Sequence, residues 1–411
     1  MPVMKDLELR GKGTRFRIFP QPRFLEGFGE AETVWLSPLP GSVGPGPSDD
    51  RMYVVDAIGK KDYDDKTWPP YAGPRHPDVE PDPRGHFDHL DVNGREFGAA
   101  HMFAVIRRVL DIWEGYFGGR IEWHFRDHQP RLELIPHIDW NNAQSGYGFL
   151  EAGYGETKAG ERRDYCLNFD VLAHEIGHII IFSKVGVPDD ATFTAEYKGY
   201  HESSADLVAL ISVLHFDSFV DHLLGCCRGN LAAENELNRI AELSGSEQIR
   251  LASHNLKMTD VADTRIPWYA LDQKALHKLG EPMTGAIFDI LVEVFQEMLV
   301  ERKLIARDLA TAAYAVPDTP EEAENIQARF DAVYAGNEDA FKAALLDARD
   351  FLGSRLATTW EEIPADNLHF ADVAAKFLTI DRRITGGRYQ RIIRDCFLWR
   401  CIGYGFVGKG A

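Results

Sequence analysis

The chain has 411 residues, 45% of them hydrophobic, which provides enough core for two or three packed units. Its 64 acidic residues outnumber 45 basic ones, and the formal net charge of −19 argues against nucleic acid and anionic membrane surfaces as partners. Five cysteines, Cys166, Cys226, Cys227, Cys396 and Cys401, are an odd number and include no C-x-x-C, so neither a disulfide framework nor a zinc ribbon is expected.

In chain order, the opening segment lacks the apolar core of a leader, and no run of eighteen apolar residues occurs, which favours a soluble cytoplasmic chain. Residues 1–95 are rich in Pro and Gly, with short β-type runs at 14–19, 33–36 and 51–55. The proline-dense stretch 66–84 reads as a loop. Residues 97–116 have helical periodicity through Phe103, Ile106, Val109, Leu110 and Trp113, and 121–125 and 131–135 are predicted strands.

The segment 171–181 reads VLAHEIGHIII. His174 and His178 stand four apart, hence on one face of a helix, and their imidazoles can converge on one metal ion. Glu175 sits beside them, facing a water on that metal. Such a trio arises by accident in a chain with 15 His in roughly a few per cent of cases. The flanking Val171, Leu172, Ile176, Ile179, Ile180, Ile181 and Phe182 make the helix apolar nearly all round, so it should be buried, and buried polar side chains need partners.

A catalytic zinc site takes a third protein ligand. Glu202 is the candidate, 24 residues beyond His178 on a second apolar helix over 200–211, after the break at Gly186, Pro188, Asp189 and Asp190. Asp206, one turn further, could accept a hydrogen bond from a ligating histidine. Beyond it the chain is mostly helical, with segments predicted at 285–301, 307–314, 321–334, 339–351 and 370–377. Trp360, Phe370, Phe377, Tyr389, Phe397 and Trp399 read as core residues, and Gly386-Gly387 as a turn.

These residues resemble the thermolysin-like gluzincin metallopeptidases. Besides HExxH and the E-x-x-x-D of Glu202 and Asp206, the chain has the N-A pair Asn142-Ala143 of an edge strand, then Tyr154-Gly155, then Asp170 before the zinc helix. Similarity is best over residues 97–214. It implies an α+β, two-lobed fold, with an N-terminal β-rich lobe carrying the zinc helix at its base and a mostly α-helical C-terminal lobe. Three regions are expected: 1–95, rich in β and loop; a catalytic α/β region, 96–190; and a helical 191–411 with the third ligand.

The resemblance implies a zinc-dependent endopeptidase of peptide or protein substrates. Zn²⁺ held by His174, His178 and Glu202 would acidify a water, and Glu175 would shuttle its proton to the leaving amine. Asn142 and the backbone of Ala143 would hold the substrate as an added strand. His277, placed ahead of a helix opened by Pro282 and Thr284, would donate to the oxyanion, with His254 as a rival. The family's transition-state tyrosine has no aligned match, although Tyr197 and Tyr200 are available.

The chain departs from the family in lacking a recognisable pro-segment. Calcium finds little support, because Asp170 alone is not a six-to-eight-oxygen site and Val213 stands where the family has an acid. A metzincin motif is excluded by Ile181 and Lys184. The alternatives are a non-catalytic zinc-containing binding module, which an intact Glu175 disfavours, and a gluzincin aminopeptidase, whose G-x-M-E-N motif is missing. Cleavage specificity and oligomeric state are not encoded in any legible motif.

Overall fold

The computed structural model describes residues 9–403 apart from 65, 158–159, 234, 245–246, 253–254, 262 and 316–318. Two compact units divide the chain: one contains the residues up to Lys184 together with Ala241–Ile249, the other Val185–Ile240 and the residues from Arg250 onward. The architecture is α+β, with the sheet in the first unit and long helices in the second.

In the first unit β1 (Thr14–Ile18) and β2 (Glu32–Leu36) pair antiparallel, with Phe16 opposite Val34. A second sheet contains β3 (Met52–Val54), β4 (Leu132–Ile135), β5 (Ala143–Gly146) and β6 (Phe149–Ala152) in the order β3-β4-β6-β5. β3, β4 and β6 run parallel, whereas β5 runs antiparallel to β6 and forms the edge. A parallel β3–β4 pair needs a long return, and α1 (Arg95–Phe117) lies within it. Gly118, at φ 70, ends α1 by returning its N–H to the Glu114 and Gly115 carbonyls.

Most of α1 is buried, including the charged Arg107, Asp111 and Glu114, which pair with one another. Arg107 contacts Asp111 at 2.7 Å and Glu114 at 3.2 Å, while Arg51 reaches Glu114 at 2.5 Å. Two fully buried carboxylates brace the sheet in the same way. Glu133 on β4 accepts the hydroxyls of Tyr63 and Tyr53, at 2.6 and 3.0 Å. Glu151 on β6 meets Lys60 Nζ at 2.5 Å and Gln144 Nε2 of β5 at 2.6 Å. These bonds fix the loop after β3 and hold the edge strand in register.

The strand expected over 121–125 does not form. Ile121, Trp123 and Phe125 do point inward, at 0, 5 and 0% exposure. Their backbone, however, finds other partners: the Ile121 N–H goes to Glu114 Oε1, and Arg126 and His128 close turns onto Trp123 and Phe125. Alternating burial alone does not make a strand when the backbone is satisfied by a side chain and by turns. The hairpin of β7 (Tyr154–Glu156) and β8 (Arg162–Asp164) carries no sequence signal strong enough to have been predicted.

His101 on α1 gives a pH dependence. Its Nε2 accepts the Phe19 N–H at 3.0 Å, so Nδ1 carries the proton donated to the Cys166 carbonyl at 2.8 Å. Burial pushes this imidazole down to about 4. The unfolded chain takes up the proton near the ordinary value of about 6.5, so stability is complete above that pH and falls as pH drops toward 4. We expect a loss of about 3 kcal/mol over that window in denaturant titrations. A His101→Gln chain should lack this part of the slope, and an identical slope in both proteins would refute the assignment.

The second unit contains α3 (Ala195–Val213), α4 (Asp217–Cys227), α5 (Gln273–Glu301), α6 (Arg307–Tyr314), α7 (Pro320–Tyr334), α8 (Glu338–Glu362), α9 (Phe370–Thr385) and α10 (Gln390–Trp399), numbered after α2 (Phe169–Lys184) of the first unit. A further hairpin joins β9 (Arg239–Ser244) to β10 (Glu247–Leu251). Thr194 caps α3 by accepting the Tyr197 N–H at 2.9 Å, and Asp272 caps α5 by accepting that of Ala275 at 2.7 Å. Two glycines bring α3 and α5 close together: a Cβ at Gly280 would stand 2.5 Å from the Gly199 carbonyl oxygen.

Trp360, Phe370, Phe377, Tyr389 and Phe397 are buried, as expected, but Trp399 is 45% exposed at the end of α10, where Lys257 lies over its ring. Arg400, which follows it, is 1% exposed and takes the interior position instead, pairing with Asp289 at 2.8 Å. Burial raises Asp289 to about 6 against the pull of that guanidinium. No single described helix is long and apolar enough to cross a membrane.

Candidate metal centre and neighbouring residues

The zinc-motif helix is α2, and its start is fixed by side chains. Asn168 accepts the Val171 N–H at 3.2 Å, the pattern of an N-cap, while Asp170 lies inside the first turn, buried, and accepts a bond from Gln21 Nε2 at 3.1 Å. Asn168, not the following acid, thus caps the helix. Ile176, Ile179, Ile180 and Ile181 are at most 1% exposed and anchor the helix. His174 is buried and His178 half-buried, with their rings 4.5 Å apart at 84°.

One donor atom from each of His174, Glu175 and His178 falls within 4.8 Å of the others. The two imidazole nitrogens, set by the i, i+4 spacing, could hold a borderline cation such as zinc, with the Glu175 carboxylate beside them.

The edge strand contributes a residue that sequence reasoning passed over. Ser145 on β5 donates from Oγ to Glu175 Oε2 at 3.1 Å. Its signal was present in the strand period: Ser145 lies two residues after Ala143 and so shares its face. Ala143 pairs with Ala152 and is buried, while Asn142, just ahead of β5, is exposed and accepts the Gly153 N–H through its carbonyl at 2.9 Å. Among the described strands β5 has one partner only, leaving its outer edge without a neighbour in that sheet.

In the second unit, Glu202 and His277 come together, with Oε1 and Nε2 3.4 Å apart. His277 does not precede its helix: it is the fifth residue of α5, with Pro282 and Thr284 well inside. The Asp272 cap moves the start upstream of the proline, and Thr284 bonds Ser203 of α3 at 3.0 Å instead of opening a helix. Asp206 lies one turn beyond Glu202 and is buried. His254 lies outside the described residues. Tyr197 is buried and donates to the Gly186 carbonyl at 2.6 Å, and Tyr200 is buried as well.

A cavity of about 660 Å³ in the first unit contains none of the motif side chains; Arg23, Arg95, His137, Arg162 and Arg163 supply its basic lining. Burial opposes the charge on His137, but the Cys166 sulfur and the Asp56 carboxylate outweigh it and hold His137 raised to about 10.

No protein-family model and no curated protein matches the sequence. Among solved structures, the precursor of protealysin, a metalloproteinase from Serratia proteamaculans, superposes with a TM-score of 0.51. The match covers 87% of this chain and 88% of that one at 14% identity. The two chains share a fold. That likeness extends well beyond residues 97–214, so the thermolysin-like α+β architecture that the resemblance implies holds over most of the chain.

Proposed function

We propose that this chain is a zinc-dependent metalloendopeptidase. The observation that carries the reading is the convergence of donor atoms from His174, Glu175 and His178 on a buried helix, with Glu175 bonded to an edge strand. The fold shared with a metalloproteinase supports it. His174 and His178 are two ligands, Glu202 is the third by carry-over from the family pattern, and Asp206 orients a ligand ring. When bound there, zinc supplies Lewis acidity for the attacking water and the scissile carbonyl.

The remaining steps belong to the chain's own side chains. Glu175 removes the proton from the attacking water and delivers it to the leaving amine, with Ser145 fixing the carboxylate rotamer. The outer edge of β5, from Asn142 and Ala143, takes the substrate main chain as an added strand, which favours cleavage inside an extended peptide. His277 donates to the oxyanion, and its contact with Glu202 supports that role by placing a nitrogen donor beside a proposed ligand.

Digestion of a peptide library with and without chelator, read by mass spectrometry, tests the reading. Internal cuts that vanish with chelator and return with zinc are expected. Release of single N-terminal residues would replace it with the aminopeptidase alternative, and no turnover with the binding module. Ser145→Ala should lower kcat/KM about tenfold, the worth of one hydrogen bond to a charged group. An unchanged value would remove Ser145 from the machinery. His277→Ala should lower kcat about 100-fold with KM little changed, and an equal rise in KM at constant kcat would make it a binding residue instead.

A further inference from the structure

We propose that His222, Cys226 and Glu236 form a second divalent-metal site of zinc-like preference, contained in the helical unit and separate from the His174–His178 pair. His222 and Cys226 stand four apart on α4, so their side chains share a face. Cys226 Sγ lies 3.5 Å from His222 Nε2, and that nitrogen lies 3.7 Å from Glu236 Oε1. All three donor atoms fall within 4.8 Å of one another. Around a tetrahedral zinc, with about 2.3 Å to sulfur and about 2.0–2.1 Å to nitrogen or oxygen, neighbouring donors are separated by about 3.3–3.6 Å. The two contacts made by His222 Nε2 are close to those of a ligand set.

The chain returns Glu236 to α4 by a braced turn. Arg228 and Gly229 adopt positive φ, 54° and 87°, and reverse the chain after the helix. Buried Asn235 then accepts the Leu237 N–H at 3.0 Å and donates to the Leu231 and Ala233 carbonyls at 3.2 and 2.7 Å. This network holds the first residue of the following 3-10 turn, Glu236, over the last turn of α4. The second carboxylate oxygen of Glu236 is buried with no hydrogen-bond partner among the described residues, an arrangement that a bound cation would relieve.

A thiolate, an imidazole and a carboxylate select a borderline cation over calcium or magnesium, which prefer all-oxygen shells. Three protein donors leave a fourth position for water, and exposed Cys226 gives the ion a route in. Cys227, next along the chain, is buried with its thiol pushed up to about 12 by burial and takes no part.

Cobalt(II) tests this cleanly, because no ligand proposed for the first site contains sulfur. The full chain, stripped with chelator and reloaded with Co²⁺ under a non-thiol reductant, should show a thiolate-to-cobalt charge-transfer band. The band should persist in His174→Ala/His178→Ala and be absent in Cys226→Ser. Zinc content after reloading should fall by one equivalent in Cys226→Ser and in His222→Ala, with circular dichroism unchanged. A wild-type protein without the band, a band that survives Cys226→Ser, or unaltered zinc stoichiometry in both variants would overturn the proposal. None of these outcomes depends on peptidase activity.

Discussion

Glu175→Gln is expected to lower kcat/KM on an internally cleaved peptide by about 10³-fold or more while zinc content stays at the wild-type level. The amide is nearly isosteric with the carboxylate and can still accept from Ser145 Oγ through its carbonyl oxygen, so the 3.1 Å contact and the helix around it should persist. What it loses is the capacity to take a proton. General acid–base assistance contributes roughly 10²–10⁴-fold, and here one group serves both the attack and the departure of the amine, which places the effect at the upper end. Metal analysis and steady-state kinetics on the same preparation decide the matter. A variant with its zinc intact and more than a tenth of wild-type activity would show that Glu175 is not the base.

Gly280→Ala is expected to destabilise the protein by about 1–3 kcal/mol, although alanine is the better helix former. The new Cβ would stand 2.5 Å from the Gly199 carbonyl oxygen and 3.2 Å from the Ser203 nitrogen, both backbone atoms that cannot rotate away. α3 and α5 would have to separate, and with them Glu202 and His277, whose contact lies one turn along the same seam. A built-in control is Gly225, inside α4, where an added Cβ meets nothing within 4 Å. Gly225→Ala should be neutral or stabilising. Thermal or urea unfolding of the two variants side by side provides the comparison, and equal stability would show that the helices do not meet at Gly280.

Several features are legible in the sequence. The motif helix runs Phe169–Lys184 around the 171–181 segment, and the helix of Glu202, Ala195–Val213, brackets 200–211, because apolar periodicity over many residues leaves little freedom. The edge position of β5 came from the resemblance at Asn142-Ala143, and its order in the sheet agrees. The failures share a cause. Residues 121–125 alternate like a strand, yet their backbone bonds to the Glu114 side chain and closes turns instead of pairing. Pro282 reads as an opening residue, yet α5 starts upstream of it, because its cap, Asp272, stands ten positions earlier. Trp399 looked like core by its ring, but Arg400 holds the interior place through its pairing with Asp289.

What the amino-acid order determined by itself is the local chemistry: two imidazoles on one face of an apolar helix with a carboxylate beside them, since a 3.6-residue turn sets that relation wherever the helix lies. Only the tertiary structure decided that Ser145 meets Glu175 from a strand thirty positions away, that His277 faces Glu202, and that paired glycines let their helices approach. The physical reason is that contacts between distant segments are chosen by packing and by the need of buried polar atoms for partners, and neither leaves a periodic trace in the sequence.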